Sequence, residues 1–151
     1  MKTYPFSALF SRMKYITRWS LMRSTRAESL SEHTADTAML AHTLCLIGKS
    51  CTGTGAALRP EVVATAALYH DAPEILTGDM PTPVKYKNDA LRTAYKAVEH
   101  ESARVMASLQ PAELQAETQA WLTGSVLNVY DPENDAFTEK YCEEWQMRYR
   151  G

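Results

Sequence analysis

The sequence predicts an all-α protein, a bundle of helices, on three observations. Apolar residues return at spacings of three and four through most of the chain, the pattern that turns one helix face toward a core. No stretch shows the strict apolar–polar alternation of a half-buried strand. Helix start and stop signals stand where the periodic segments begin and end: Ser29 with Glu32 three residues later, Pro60, Pro111, Gly48 and Gly124.

The first helix is expected over residues 6 to 14, where Phe6, Leu9, Phe10 and Met13 share one face. The second begins near Ser31, because "SLSEH" offers Ser29 and Ser31 as caps and Glu32 as the return half of a capping box. It runs through "TADTAMLAHTLCLIG" to about Gly48, and "KSCTGTG" reads as a Gly/Thr loop. Pro60 suits a first helical turn, and "EVVATAALYHD" follows until Pro73. Three prolines (Pro73, Pro81, Pro83) and a "TGD" turn then make 74 to 88 an ordered loop with one short helical turn. From Asp89, the residues Leu91, Ala94, Tyr95, Val98, Val105 and Met106 mark a long amphipathic helix to about Gln110. Pro111 opens another with Leu114 to Leu122 as its body; "VYDPEND" is a turn, and "AFTEKYCEEWQMRYRG" reads as a final helix.

A chain of 151 residues suffices for a single domain with a real core and falls short of two ordinary ones. Hydrophobic content of 45% with 23% charged residues argues against disorder. A net charge of -2, with no recognition-helix motif and no continuous basic stripe, gives no reason to expect a nucleic-acid partner. Charge is nonetheless uneven. The first 26 residues hold six cations and no acid, whereas 113 to 144 hold eight acids and a single Lys. An Arg-containing, acid-poor start can mark a transit peptide, but Trp19, Leu21 and Met22 lead straight into a strong helix. No apolar run approaches the roughly 18 residues of a membrane span. Cys45, Cys51 and Cys142 are odd in number and lack metal spacing, as expected of reduced thiols in a cytoplasmic protein.

The chemistry concentrates in "ALYHDAPEILTGDMPTPVK". Neighbouring helical residues point about 100° apart, so His70 and Asp71 can approach one ion only at a helix end, which Pro73 supplies. His33 lies in the first turn of an earlier helix, and helix ends on one side of a bundle can converge. Imidazole with carboxylate suits Zn, Mn, Fe or Co, and a fourth ligand would complete the shell. Glu74 and Asp79 could orient or deprotonate a water and later protonate a leaving oxygen; Asp79 could equally anchor the turn before Pro81. Arg18 is suited to phosphate. Beside it, Trp19 reads first as core packing and second as a surface for a sugar or base. His42, about 900° of helical rotation past His33, falls on the opposite face as a core or interface residue. His100 and Asp36 read as solvated.

With those residues in view, "RWSLMR", "ESLSEH" and "HDxxExxTGDxPTPVKY" resemble the HD-domain phosphohydrolases, and among them the bacterial 5'-deoxynucleotidases, over residues 6 to about 114. The resemblance implies an HD-domain helical bundle over 1 to 151, a homodimer, holding one divalent ion (Co, Mn, Zn, Fe or Mg). It implies His33, His70 and Asp71 as ligands and Arg18 as the phosphate-orienting residue, with His33 and Asp71 also bordering the substrate. Trp19 would line the nucleoside pocket, and Glu74 and Asp79 would act near the water and the leaving group. Asp79, Met80, Pro81 and Thr82 would hold the deoxyribose and reject a 2'-hydroxyl. The implied reaction is release of phosphate from deoxyribonucleoside 5'-monophosphates.

The ending departs from this pattern. The fourth ligand is expected on a later helix in a setting like "VK-x-AD-x-L-x-A", which is absent; Asp135 is the best substitute and Asp131 the second. Two alternatives therefore stand beside the monophosphatase. One is a related hydrolase of deoxynucleoside triphosphates, with Arg23, Arg26 and Lys85 as further phosphate anchors. The other is a degenerate domain that binds nucleotide or a partner without turnover.

Overall fold

The computed structural model describes residues 3–53 and 58–127. Helices are α1 (Phe6–Phe10), α2 (Leu30–Ile47), α3 (Pro60–Tyr69), α4 (Glu74–Thr77), α5 (Thr82–Lys85), α6 (Asp89–Ala107) and α7 (Ala112–Leu122). The described residues form no strand, only one antiparallel bridge between Thr17 and Ser29, so the all-α expectation is met.

Two packed clusters make the core. Phe6, Met13, Leu30, Ala72, Ile75, Ala103, Met106, Ala107 and Leu122 form one, joining the chain's start to α2, α4, α6 and α7. Cys45, Leu58, Val62, Val63, Ala66, Val126 and Leu127 form the other, between α2, α3 and the residues after α7. The α2–α3 pairing is the most extensive, and α6 packs against α4, α5 and α7.

α2 starts as its capping signal requires. The Ser29 hydroxyl accepts from the Glu32 N–H, and the Glu32 carboxylate takes the Ser29 N–H at 2.8 Å. Pro60 occupies the first turn of α3, where its missing N–H costs nothing.

Several boundaries differ from the sequence expectation. Residues 6 to 14 are split: α1 ends at Phe10, and a separate 3-10 turn covers Met13–Tyr15. Gly48 does not stop α2, because its N–H still bonds to the Leu44 and Cys45 carbonyls; the chain continues as a wider π turn over Gly48–Thr52. The break falls at Gly53, whose φ of 67° a side chain would resist. The segment 74 to 88 holds two short helices, α4 and α5, rather than one turn. Gly78 (φ 76°) separates them, and Pro81 and Pro83 sit at the start of α5, where proline is tolerated. On α6 the buried stripe is Tyr95, Ser102, Ala103, Met106 and Ala107, while Val98 and Val105 are exposed. On α7, Leu114 is exposed as well. The expected final helix, with Asp131 and Asp135, lies outside the described residues.

Candidate active site

The site is assembled from four pieces of chain. The first is the loop 16 to 30, closed at its neck by Leu30 N–H donating to the Ile16 carbonyl (2.8 Å) and Arg18 N–H donating to the Glu28 carbonyl (2.9 Å). These bonds hold Arg18 against the N-terminus of α2, whose first turn carries His33. His70 and Asp71 come from the C-terminal end of α3, and α4 with the turn after it brings Glu74 and Asp79.

His33, His70 and Asp71 each offer a ligand atom, all within 4.8 Å of one another. Asp71 Oδ2 lies 2.9 Å from His70 Nε2 and 3.4 Å from His33 Nε2. His70 Nδ1 is 2.6 Å from the Ala67 carbonyl, so the N–H belongs there and Nε2 keeps its lone pair for an ion. His33 Nε2 is buried with no hydrogen-bond partner, an orphan that a metal would satisfy. This donor set fits a divalent transition-metal ion. Burial disfavours the charged form of Asp71, but His70, His33 and Arg18 outweigh it and hold the carboxyl well below its usual range. Burial likewise works against His70 as a cation, but Asp71 raises it overall.

Arg18 is buried at 7% exposure and faces three carboxylates: Asp71 at 3.1 Å, Asp79 at 3.3 Å and Glu28 at 3.5 Å. Asp79 spends its other oxygen on the Trp19 N–H at 2.8 Å. That bond pins Trp19 at a φ of 55°, left-handed backbone that costs a non-glycine residue roughly 1 kcal/mol or more. Trp19 is partly buried and is not among the residues of the two core clusters. Glu74 is 5% exposed, and its Oε2 has no hydrogen-bond partner. Burial, then the charges of Asp71 and Asp79, push its pKa up to about 9, so it carries a proton at neutral pH in the metal-free protein.

Met80, Pro81 and Thr82 run from Asp79 into α5; Pro81 is buried and the other two are partly exposed. None of them makes a side-chain hydrogen bond to the His33–His70–Asp71 group. His42 is exposed on α2, which removes the core alternative for it, and Asp36 and His100 are exposed as expected. Glu28 was not singled out in the sequence, and nothing in its neighbours signals that the loop would fold back onto Arg18. Tyr95, expected on the apolar face of α6, is buried, and Glu99 one turn further on was not singled out.

This all-α arrangement around a His-Asp pair has a counterpart of known fold. It is shared with the crystal structure of an HD-domain phosphohydrolase from Listeria innocua at a TM-score of 0.68 and 24% identity, over 78% of this chain and 55% of that one. The match is closer in sequence, where the profile described as 5'-deoxynucleotidase YfbR-like covers residues 5–139. The chain belongs to that family. Among its relatives, a Vibrio cholerae protein named 5'-deoxynucleotidase is 40% identical over 93% of this chain and 70% of its own length. A Cronobacter sakazakii 5'-deoxynucleotidase is 46% identical over 73% of this chain and 54% of its own length. A Salmonella paratyphi B 5'-deoxynucleotidase YfbR is 46% identical over 76% and 57%. The chain therefore spans little more than half the length of the last two.

Proposed function

We propose that this chain hydrolyses deoxyribonucleoside 5'-monophosphates to deoxynucleoside and phosphate, with one divalent ion held by His33, His70 and Asp71. The observation that carries the reading is Arg18, the one buried guanidinium among the described residues, fixed 3.1 Å from the carboxylate of the candidate metal group. One cationic anchor beside one ion matches the small, doubly charged phosphate of a monoester.

When bound, the ion would lower the pKa of a water and offset phosphate charge. Arg18 would donate to the phosphate oxygens and hold the ester for in-line attack. In the reaction the water oxygen bonds to phosphorus, the bond from phosphorus to O5' breaks, and O5' needs a proton. Glu74 would manage that proton: its carboxyl is buried near Asp71 and Asp79, which with burial raise its pKa in the metal-free protein. Asp79 acts as an anchor in this arrangement: its two oxygens hold Arg18 and the Trp19 backbone, and so fix the phosphate site relative to the nucleoside side. Met80, Pro81 and Thr82 would follow the deoxyribose. Asp135 remains the candidate fourth ligand; the family match runs past it.

The triphosphate alternative needs several free cations near the mouth. Of the three cations named for it, Lys85 is paired with Glu99 at 2.6 Å and Arg26 with Glu32 at 3.1 Å, leaving the exposed Arg23, which favours the monophosphate. No described helix is long and apolar enough to cross a membrane, and we assign the enzyme to the cytoplasm, as a single domain acting on a small-molecule deoxynucleotide. An exposed apolar stripe on α2 (Met39, Leu46 and Ile47) supports a homodimer. The deciding experiment compares phosphate release from a deoxynucleoside monophosphate, its ribonucleotide and its triphosphate. Release from the deoxy monophosphate alone is expected; equal or greater turnover of the triphosphate would overturn the assignment.

A further inference from the structure

Behind the Gly78–Thr82 turn, α6 presents two polar side chains one helical turn apart. Tyr95 is buried, donates its hydroxyl to the Gly78 carbonyl at 3.2 Å, and lies 3.5 Å from Thr77 Oγ1. Glu99 takes the Lys85 ammonium at 2.6 Å, and that ammonium stands 4.8 Å from the centre of the Tyr95 ring, within cation–π distance. Both ends of the turn are thus tied to one face of one helix: Gly78 at its start, and Lys85, the last residue of α5, just beyond its end. The Gly78 N–H in turn donates to the Glu74 carbonyl at 2.8 Å. Tying down this peptide therefore fixes α4 as well as Asp79.

None of the three side chains makes a hydrogen bond or ion pair with His33, His70, Asp71 or Arg18. Stability alone is a weak reason for such a network. The Lys85 and Glu99 side chains are only 18% and 25% exposed, and desolvating an ion pair to that degree cancels much of what the pair gains. Fixing geometry is the better account, because the turn has a left-handed glycine at its head whose carbonyl takes both the Tyr95 hydroxyl and, at 3.1 Å, the Thr77 hydroxyl.

We propose that Tyr95, Lys85 and Glu99 are positioning residues that set the depth of the Gly78–Thr82 turn and thereby its discrimination between deoxyribose and ribose. The specificity part rests on the deoxynucleotide reading above. The network acts through Asp79 and the backbone that follows it, and its Lys85 and Tyr95 lie near enough to Glu74 to feel that carboxyl's charge.

The test uses metal-loaded protein and three changes. Tyr95→Phe removes only the hydroxyl and keeps the ring beneath the ammonium; Lys85→Met removes the cation, and Lys85→Arg restores it. Two readouts are taken: kcat/KM for a deoxynucleoside monophosphate against its ribonucleotide, and hydrogen exchange at the amides of residues 74 to 82. Tyr95→Phe and Lys85→Met are expected to lower kcat/KM for the deoxy substrate by roughly 10-fold or more, as small misplacements of a site do. The ribonucleotide should lose less, so the ratio narrows, and the Gly78 amide should exchange faster. Lys85→Arg should recover most of both. If Tyr95→Phe does not fold, Glu99→Gln, nearer the surface, carries the same comparison. Folded variants with unchanged exchange and an unchanged ratio would overturn the proposal. A wild-type enzyme with no preference between the two sugars would overturn the deoxynucleotide reading instead, and the exchange readout would still decide whether the network holds the turn.

Discussion

At Arg18 one guanidinium meets Asp71, Asp79 and Glu28, so one residue joins the candidate metal group, the turn after α4 and the neck of the N-terminal loop. Lysine keeps the charge but loses the fork that serves several oxygens at once. Arg18→Lys should therefore lower kcat/KM by about 10- to 100-fold, the loss of one or two charge-assisted hydrogen bonds, in steady-state kinetics of metal-loaded protein. Glu74 gives the second residue-scale prediction. Its folded pKa is raised to about 9 against an ordinary 4.5, so between those values the folded chain keeps a proton that the unfolded chain releases. Stability contributed by this group consequently falls as pH rises through that window. Thermal unfolding of chelated protein at about pH 6 and about pH 8.5 should show this fall, and Glu74→Gln should flatten it. The same change should reduce kcat by roughly 100-fold or more if Glu74 manages the proton on O5'. The convergence of His33, His70 and Asp71 was legible in the sequence because these types fell at helix ends and matched the family's motif. The partners of Arg18 were only partly legible: Glu28 is ten residues away around a loop, and no local pattern reports such a closure.

Elements were readable where a local device sets them. The Ser29–Glu32 capping box placed the start of α2 to within a residue, and Pro60 placed α3, because each satisfies or removes an end N–H that the chain must deal with anyway. Elements were missed where tertiary packing decides. Of the face expected on α6, Tyr95 and Met106 are buried, but Val98 and Val105 are exposed and Ser102, Ala103 and Ala107 are buried in their stead. Gly48 looked like a stop, but glycine ends a helix only when it adopts the left-handed conformation, and that falls to Gly53. The neck of the 16 to 30 loop joins directly to the capped start of α2. Ser29→Ala should cost about 1 kcal/mol, the usual worth of an N-cap. Leu30→Ala, at a fully buried position, should cost about 2–5 kcal/mol. Urea unfolding measures both, and Ser29→Ala should bind the ion with wild-type stoichiometry, because it alters helix stability without touching a ligand.

For the whole molecule, the proposed ion would link binding to the fold. His33 comes from the start of α2 and His70 with Asp71 from the end of α3, so an ion shared by them fastens the two most extensively packed helices together. Ligand that binds only the folded state stabilises it by about 2.7 kcal/mol at a hundredfold excess over Kd. Chelation should therefore lower Tm, and readdition should restore it. The most direct test of metal-dependent hydrolysis at this site strips the protein, titrates it with Co, Mn, Zn, Fe or Mg, and follows two quantities in the same samples: bound ion, and phosphate released from a deoxynucleoside 5'-monophosphate. Activity is predicted to rise with binding, to saturate at one ion per chain, and to vanish together with binding in Asp71→Asn. Full activity in the stripped protein, or ion binding that Asp71→Asn leaves intact, would contradict the account.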